Sequence, residues 1–332
     1  MSNNLITILI PTYNRLELLQ KAYNSCKNQT DIHFDLIVVD NASDDGTQQF
    51  LKTIHKEDKI ISELILNPIN LGATLSITNA LTKVKTRWVT ILCDDDTIEP
   101  NFIEKSLPII STTNTGFVIT GFRTVDENGN TTLIHNTSQQ TFNRNKFLLN
   151  FLNGKIQTAG VSGFFFINEI ISKPKNYPKG FLSDTMICVE AGLYNGAELI
   201  AECLYNRLEW SGSESTFSIK NTKMYFESLL LFGQDLTNLL DSYQLTPDIV
   251  QRAKQTQSLK HFFWIVLFPI LRNSSITLKD LIDFSTLIDR YDKRYFLHFT
   301  FMIILYPFMS KISLPVRQKL FSILRDIKRK FL

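Results

Sequence analysis

Residues 5–15, LITILIPTYNR, join an apolar run to a polar turn, and this junction begins the pattern that decides the fold. We predict a buried strand from Leu5 to Ile10, which Pro11–Asn14 breaks. Beyond the turn, apolar residues recur at helical spacing as far as Cys26. The first half of the chain repeats this alternation of strand-like and helix-like runs. Such alternation is typical of a largely parallel α/β sheet covered by helices.

Further apolar runs end at polar segments. Strands are predicted from Phe34 to Val39, from Leu64 to Leu66 and from Trp88 to Cys93. In an open α/β sheet, ligands bind at the carboxyl ends of the strands. We therefore expect Pro11–Asn14, the loop that follows Val39 and the acidic run that follows Cys93 to meet in space. Softer patterns predict strands over 115–122 and 162–168 and a helix over 184–193.

Composition describes a globular protein. The chain has 332 residues, of which 44% are hydrophobic, and this suits a large α/β domain with an added region. The net charge of +3 argues against wholesale nucleic-acid binding. The four cysteines lack the short spacing of a zinc or redox motif, so we expect them to be reduced, as in the cytosol. We predict no signal peptide, since no basic segment precedes an apolar one at the N-terminus.

Several common nucleotide and hydrolase motifs are absent from the sequence. No Gly-x-Gly-x-x-Gly follows the first predicted strand, and no Gly-x-x-x-x-Gly-Lys-Ser/Thr run occurs. No Gly-x-Ser-x-Gly marks a hydrolase nucleophile. The five histidines are scattered and form no metal-ligand pair. A dinucleotide fingerprint, a P-loop NTPase and a serine hydrolase are thereby excluded.

Asp94-Asp95-Asp96 is the strongest chemical signal. Three adjacent carboxylates repel one another, and leaving them unneutralised at the end of a buried strand is costly. A divalent cation resolves that conflict, and aspartate oxygens suit Mg²⁺ or Mn²⁺ rather than Zn²⁺. Such an ion stabilises a diphosphate as a leaving group. The alternative interpretation is a solvated acidic turn or a helix cap.

Two other loops offer groups that suit a nucleoside. Asp40 stands where a strand ends, and its carboxylate can accept a hydrogen bond from the N–H edge of a base. In the first loop, Tyr13 offers a flat face for a base and Thr12 offers a hydroxyl. The alternative for each is an ordinary turn, with Asp40 as a cap and Tyr13 as a packed tyrosine.

The C-terminal third is predicted to be helical from about Lys220. Two strongly apolar stretches, His261–Leu271 and Phe296–Met309, are shorter than the ~20 residues that span a bilayer. They are either buried core helices or helices that lie in the membrane interface. Basic residues near the C-terminus favour the second interpretation, because they suit an anionic inner leaflet. These are Arg317, Lys319, Arg325, Lys328, Arg329 and Lys330.

The order of these segments resembles the family 2 glycosyltransferases, which have the GT-A fold. The resemblance covers residues 4–105 and rests on four motifs in the family's order. They are the apolar run with Pro11-Thr12-Tyr13-Asn14-Arg15, then Val38-Val39-Asp40-Asn41-Ala42-Ser43-Asp44-Asp45-Gly46-Thr47, then Asn70-Leu71-Gly72, and then Asp94-Asp95-Asp96. Cys93 stands where many relatives have the first aspartate of the acidic motif.

The resemblance implies a donor site and a metal site. Mn²⁺ or Mg²⁺ would be held by Asp96 and Asp94, and Asp94 or Asp95 would contact the donor ribose or sugar. Arg207 would contact the diphosphate and Trp210 would stack on a sugar, unless their segment is a loop with a surface aromatic. The implied donor-binding residues are Pro11, Thr12, Tyr13, Asn14, Asp40, Asn70, Gly72, Asp94, Asp95, Arg207 and Trp210.

The resemblance also implies an inverting reaction, which needs a general base to take the proton of the acceptor hydroxyl. Asp184 matches the place of that base, and the alternative is that it only caps its helix. Glu190 and Glu214 are the reserve candidates. The stretch from Tyr205 to Ser215 resembles one that closes over donor and acceptor, and Gly160–Gly163 would leave room for the acceptor.

We therefore predict a GT-A domain over residues 1–217, with nucleotide-sugar binding in 1–105 and the acceptor side in 106–217. Residues 218–332 are predicted to form a helical region that associates with a membrane or dimerises. The expected reaction moves a sugar from a nucleotide-diphospho-sugar, most often a UDP-sugar, to an acceptor hydroxyl. By family analogy the acceptor is a lipid-linked saccharide of bacterial surface polysaccharide synthesis, at the cytoplasmic face of the inner membrane.

Two other function classes remain as alternatives. One is a catalytically inactive GT-A module that binds a nucleotide or a glycan, and the intact acidic run argues against it. The other is a nucleotidyltransferase, but those enzymes usually have a glycine-rich basic loop after the first strand. This chain has Pro-Thr-Tyr-Asn in that place.

Overall fold

The computed structural model describes residues 4–135, 138–158, 160–173, 183–210, 212–213 and 222–261, together with 311–313, 316 and 319. Within these residues the chain forms one mixed sheet of ten strands, accompanied by helices. The predicted α/β class, with a mixed sheet flanked by helices, is confirmed.

The strands pair in the order β3-β2-β1-β4-β9-β6-β10-β5, with β7 on β6 and β8 on β10. In chain order they are β1 Ile6–Thr12, β2 Phe34–Asp40, β3 Ile61–Leu66, β4 Trp88–Ile91, β5 Thr97–Ile98, β6 Phe117–Val125, β7 Thr131–His135, β8 Gln140–Phe142, β9 Phe164–Ile167 and β10 Ala197–Leu208.

The helices connect and cover these strands. In chain order they are α1 Leu16–Lys27, α2 Thr47–Glu57, α3 Ala73–Leu81, α4 Phe102–Thr112, α5 Arg144–Leu152, α6 Asn168–Ile171, α7 Ser183–Asn195, α8 Thr222–Ser242 and α9 Pro247–His261. In α1 the buried residues are Leu19, Ala22, Tyr23 and Cys26, which is the helical spacing predicted from the sequence.

Strands β3, β2, β1 and β4 are parallel, and their carboxyl ends lie along one edge of the sheet. Nearly every residue of β1 and β2 is buried, as expected for central parallel strands covered on their faces. This arrangement places the segments after Thr12, Asp40, Leu66 and Ile91 at the same edge. The expectation that these segments lie together is tested by their contacts below.

Strand β1 continues through Pro11 and Thr12, so the predicted break at Pro11 is wrong. Pro11 and Thr12 stand opposite Val39 and Asp40 of β2. On its other side β1 pairs with β4 only as far as Leu9. Because β1 has a paired neighbour on one side only at Pro11, the missing proline N–H leaves no ladder bond unmade.

The second half of the sheet is antiparallel where β9 enters between β4 and β6. Strand β9 reads Phe-Phe-Phe-Ile and is fully buried. The Phe165 ring stacks on Phe102 with centroids 4.8 Å apart, and Phe166 stacks on Phe117 at 4.9 Å. These rings account for part of the chain's high phenylalanine content.

Strand β10 corrects a second prediction. The stretch from Tyr205 to Ser215 was expected to be a segment that closes over donor and acceptor, but its first residues, Tyr205 and Asn206, pair with both β6 and β5. Arg207 also lies in this strand, opposite Thr124. The strand escaped prediction because its partners are remote in sequence and its pattern is interrupted by charged residues.

The chain divides into two compact units. The first comprises Met1–Phe147, Gln157–Asn176 and Ile187–Trp210, and it contains the whole sheet. The second comprises Leu148–Ile156, Tyr177–Met186 and Ser211–Leu332, and α8 and α9 pack together within it. The boundary predicted at 217/218 stays a prediction.

Among the helices in the described part of the chain, none is long and apolar enough to cross a bilayer. The apolar stretch 296–309 and all but the first residue of 261–271 lie outside the described residues. The two interpretations of these stretches therefore stay open.

The contact between α7 and α5 gives a test of the core. A Cβ added at Gly192 would lie 2.0 Å from Cε1 of Phe147, whose buried ring packs edge-on against Phe117. Alanine normally stabilises a helix relative to glycine, but overpacking here outweighs that preference. We expect Gly192→Ala to lower the free energy of unfolding by about 1–3 kcal/mol, measured by thermal unfolding followed by circular dichroism.

Gly129→Ala is the control, because an added Cβ there has no heavy atom within 4 Å. At its φ of +81° the substitution costs only left-handed backbone strain, about 1 kcal/mol. A Gly192→Ala protein at least as stable as Gly129→Ala would contradict the packing described for Phe147.

Candidate functional site

Hydrogen bonds join the loop after β1 to the loop after β2. The Asn14 N–H donates to Ser43 Oγ at 2.8 Å, and the Asp44 N–H donates to Asn14 Oδ1 at 2.8 Å. The Asp45 carboxylate accepts from the N–H groups of Leu16 and Thr47, at the beginnings of α1 and α2.

Both loops contain a non-glycine residue in the left-handed region. Asn14 has φ of 52° and Ala42 has φ of 67°. The conformation is unusual for alanine, and residues held in this way cluster at functional sites. Here the hydrogen bonds between the loops hold the strained backbone in place.

Asn41 joins the loop after β2 to the segment after β3. Its Nδ2 donates to Asn70 Oδ1 at 2.8 Å, and its Oδ1 accepts from Asn67 Nδ2 at 3.1 Å and from the Leu71 N–H at 3.0 Å. Asn70 Oδ1 also accepts from the Gly72 N–H. Asn70 and Gly72 themselves remain exposed at the surface.

Asp40 is fully buried at the end of β2. Its Oδ2 accepts from the Ser43 N–H and from Gln48 Nε2, both at 3.0 Å. Among the residues that the structure describes, its Oδ1 has no hydrogen-bond partner. A buried carboxylate oxygen without a donor is costly, so this atom is suited to accept from a ligand.

Asp94 is bound to the loop after β1. Thr12 Oγ1 donates to Asp94 Oδ2 at 2.8 Å, and Arg15 Nη1 donates to Asp94 Oδ1 at 3.0 Å. Burial raises the pKa of Asp94, while the Arg15 charge opposes that rise. Thr12 and the acidic run were predicted to meet, and this contact confirms that they do.

Arg15 is a counter-ion that the sequence analysis did not single out. Its Nη1 also lies 3.5 Å from Asp95 Oδ2, and its guanidinium lies 5.4 Å from the centre of the Trp210 ring. Burial lowers the pKa of Arg15, but Asp94 and Asp95 outweigh it and the net direction is upward. A useful signal was the position of a cation directly after the predicted donor loop.

Trp210 also contacts the acidic run directly. Its Nε1 donates to Asp95 Oδ2 at 3.0 Å. The Trp210 ring and the Arg15 guanidinium thus meet at the same carboxylate. Arg207, three residues earlier, is half-buried in β10.

Asp96 is held by the end of β10. Tyr205 Oη donates to Asp96 Oδ2 at 2.5 Å, and the Leu208 N–H donates to Asp96 Oδ1 at 3.0 Å. Burial, followed by the charge of Asp95, raises the pKa of Asp96 to about 7, although both donors favour the ionised form. Sequence reasoning placed Tyr205 in this region but gave it no role.

Candidate metal ligands converge at the acidic run. One ligand atom each from Cys93, Asp95 and Asp96 lies within 4.8 Å of the others. The predicted pair was Asp96 and Asp94, and each Asp94 oxygen already accepts a hydrogen bond from Thr12 or Arg15. Carboxylate oxygens fit Mg²⁺ or Mn²⁺, and a sulfur beside them is tolerated better by Mn²⁺. Cys93, Asp95 and Asp96 therefore fit the Mg²⁺ or Mn²⁺ ion that was predicted at the acidic run.

The remaining predicted residues have varied surroundings. Tyr13 is 44% exposed, so its ring face is accessible. Asp184 lies in the first turn of α7 and Glu190 lies further along the same helix, whereas Glu214 lies outside the described residues. The space beside Gly163, predicted for the acceptor, is filled by the Tyr205 ring, since an added Cβ would lie 2.3 Å from Tyr205 Cγ.

Three curated relatives share the N-terminal part of the chain. A Bacillus subtilis protein named as a provisional glycosyltransferase of teichuronic acid biosynthesis, TuaG, is 29% identical over 38% of this chain and 49% of its own length. The GalNAc(5)-diNAcBac-PP-undecaprenol beta-1,3-glucosyltransferase of Campylobacter jejuni is 32% identical over 27% of this chain and 29% of its own. The UDP-Glc:alpha-D-GlcNAc-diphosphoundecaprenol beta-1,3-glucosyltransferase WfgD of Escherichia coli is 26% identical over 39% and 49%. The chain thus spans half or less of the length of these relatives.

Solved structures extend the likeness to nearly the whole chain. The crystal structure of residues 1–349 of S. aureus TarS has a TM-score of 0.66 at 14% identity, and it covers 92% of this chain and 90% of that one. The same protein in complex with UDP-GlcNAc has a TM-score of 0.67 at 15% identity, with the same coverage. At this identity the likeness shows the fold, and the predicted GT-A architecture is confirmed.

The family model described as "Glycosyl transferase family 2" matches residues 7–173, which is half of the chain. The match includes the strand-end segments that bear Thr12, Asp40, Asn70 and the acidic run. Hydrogen bonds join these same segments at the edge of the sheet. Because the family model matches half of the chain, the protein belongs to glycosyl transferase family 2.

Proposed function

We propose that this protein is an inverting glycosyltransferase that moves a sugar from a UDP-sugar to an acceptor hydroxyl. The observation that carries the proposal is the set of hydrogen bonds between the strand-end loops, which brings an unpaired Asp40 oxygen and the acidic run to one edge of the sheet. A nucleoside diphosphate has a base at one end and a charged diphosphate at the other. The base suits the part of the sheet edge at Asp40, and the diphosphate suits the part at the acidic run.

The nucleoside is proposed to bind at the first two loops. Asp40 Oδ1 accepts the N3–H of uracil, which supplies the donor that this oxygen lacks in the protein alone. The exposed face of Tyr13 stacks on the base, and Pro11, Thr12 and Asn14 line the same loop. Asn70 and Gly72 border the site from the segment after β3.

The diphosphate and the sugar are proposed to lie beside the acidic run. Asp96 would hold a Mn²⁺ or Mg²⁺ ion, and Asp94 or Asp95 would contact the ion or the donor ribose. When bound, the ion supplies positive charge that stabilises the diphosphate as it leaves. Arg207 contacts the diphosphate, and Trp210 stacks on the sugar.

Asp184 is proposed as the general base. It takes the proton from the acceptor hydroxyl as the acceptor oxygen bonds to the anomeric carbon. The bond from that carbon to the diphosphate oxygen breaks on the opposite face, so configuration inverts and UDP leaves. Glu190 and Glu214 remain the reserve candidates for this role.

A lipid-linked saccharide is proposed as the acceptor. Support comes from two of the relatives, whose names specify saccharides linked to undecaprenol through a diphosphate. Such an acceptor would require work at the cytoplasmic face of the inner membrane. Contact with that membrane, or with a second copy of the chain, is assigned to the helical region from residue 218.

The first prediction concerns binding of the donor nucleotide. UDP with Mn²⁺ should raise the melting temperature, because a ligand at 100 times its dissociation constant stabilises the native state by about 2.7 kcal/mol. Asp96→Ala should remove the Mn²⁺-dependent part of the shift. Glu57→Ala, an exposed carboxylate on α2, is the control and should behave as wild type.

A screen of GDP, CDP, CMP and dTDP beside UDP tests the choice of base. A shift with another nucleotide alone would replace uridine in the proposal. No shift with any nucleotide, in folded protein, would favour the inactive-module alternative.

The second prediction separates chemistry from binding. Asp184→Asn should reduce sugar transfer to an undecaprenyl-diphosphate-linked saccharide by about 10²–10⁴-fold, while the thermal shift with UDP and Mn²⁺ stays as in wild type. Glu190→Gln, six residues later on α7, is the competing variant, because Glu190 is the reserve candidate on the same helix. If only Glu190→Gln abolishes transfer, the base is Glu190 and the assignment of Asp184 is wrong.

The third prediction concerns pH. The pKa of Asp96 in the folded, metal-free protein is about 7, above its ordinary value of 3.8. The folded state therefore holds this proton more tightly than the unfolded chain does. The resulting stabilisation is fully present below pH 3.8 and is lost as the pH rises through about 7, by an amount on the order of 4 kcal/mol.

Thermal unfolding in EDTA between about pH 4 and pH 8 measures this loss. Asp96→Asn cannot ionise, so its profile should fall less steeply than that of wild type. Mn²⁺ should recover stability at the upper end of the range in wild type only, because the ion binds the ionised carboxylate. Parallel profiles for the two metal-free proteins would contradict the assigned pKa.

A further inference from the structure

Tyr205 is a fully buried tyrosine whose backbone is fixed on two sides. It stands opposite Phe122 of β6 and Ile98 of β5. Its ring occupies the space that Gly163 leaves by lacking a side chain. The hydroxyl therefore has little freedom to move, and it ends 2.5 Å from Asp96 Oδ2.

The Asp96 carboxylate receives donors at both oxygens. Tyr205 Oη reaches Oδ2, and the Leu208 N–H reaches Oδ1 from three residues further along the same strand. The Ser162 hydroxyl lies near Asp96 and lowers the pKa of that carboxyl, while its oxygen accepts from the Cys93 N–H at 2.9 Å. The plane of this carboxylate is thus set by residues more than sixty positions away in the chain.

A carboxylate has about four lone-pair directions, so one protein donor at each oxygen still leaves directions for a cation. Donors that orient a ligating carboxylate reduce the reorganisation needed when the ion binds. The two sides of the acidic run differ in this respect. Asp94 is paired with a cation from the protein, whereas Asp96 is held by the neutral groups of Tyr205 and Ser162 and can still accept positive charge.

We infer that Tyr205, together with Ser162, is a positioning residue that orients Asp96 to bind a divalent cation on a nucleoside diphosphate. This inference rests on the proposed function, because it assumes that Asp96 is a metal ligand. It adds that the affinity for the ion depends on β10, which lies outside the acidic motif. A tyrosine with only a packing role would affect the melting temperature but not the affinity for the ion.

The test removes one oxygen at Tyr205 and measures Mn²⁺ binding directly. Free Mn²⁺ is measured by electron paramagnetic resonance during titration of the full-length protein with Mn²⁺ in the presence of UDP. Tyr205→Phe should weaken Mn²⁺ binding about 10-fold or more. Binding of UDP without metal should remain as in wild type, since Tyr205 contacts the acidic run and not the proposed base site.

Tyr23→Phe is the matched control. Tyr23 is also buried, and its hydroxyl donates to Asp58 Oδ2 at 2.7 Å, so the substitution removes the same kind of bond away from the acidic run. Its Mn²⁺ affinity should equal that of wild type. Ser162→Ala is the second variant, and it keeps the inference testable if Tyr205→Phe fails to fold; it should also weaken Mn²⁺ binding.

The outcomes separate the inference from the proposal beneath it. Weaker Mn²⁺ binding by Tyr205→Phe, with Tyr23→Phe unchanged, supports the inference. Wild-type Mn²⁺ affinity in folded Tyr205→Phe, or equal weakening in Tyr23→Phe, overturns it and leaves the metal proposal standing. If wild-type protein binds no Mn²⁺ with UDP, the metal proposal fails and this inference fails with it.

Discussion

The free energy cost of placing three adjacent carboxylates at the end of a buried strand is the constraint on which the rest of the site depends. A different partner stabilises each of the three carboxylates. Asp94 is neutralised by Arg15, Asp95 accepts from Trp210, and Asp96 is oriented by Tyr205. These partners come from the loop after β1 and from β10 and the residues just after it, so the acidic run connects parts of the sheet on both sides of β4. A disturbance on either side therefore reaches the carboxylates.

Asparagine residues perform a similar joining role among the loops after β1, β2 and β3. Asn41 donates and accepts through its side chain, and Asn14 donates through its backbone N–H and accepts through its side-chain oxygen. The resulting network supports the left-handed Ala42 and, within the described part of the chain, leaves Asp40 Oδ1 without a hydrogen-bond partner. Where the neighbouring polar atoms have hydrogen-bond partners and one buried atom has none, a ligand is expected to supply the missing hydrogen bond.

The sequence was informative wherever local pattern and chemistry coincide. Apolar runs predicted β2 closely, the spacing of Leu19, Ala22 and Cys26 predicted α1, and the strand-end rule predicted that Thr12 would meet the acidic run. It was less informative where long-range pairing decides. Strand β10 and the role of Tyr205 depend on partners about eighty to one hundred and ten residues away in the chain, and Pro11 stays in β1 because of where β4 ends. The sequence predicted a divalent cation as the counter-ion of the acidic run, and so the pairing of Arg15 with Asp94 was not predicted.

The close fit of Tyr205 into the space beside Gly163 limits how the sequence can change in evolution. Any side chain at residue 163 collides with the ring, and loss of the ring leaves a void in the layer that holds Asp96. Neither position can change alone without cost. The two positions are therefore energetically coupled, and in evolution a replacement at one should be accompanied by a compensating replacement at the other.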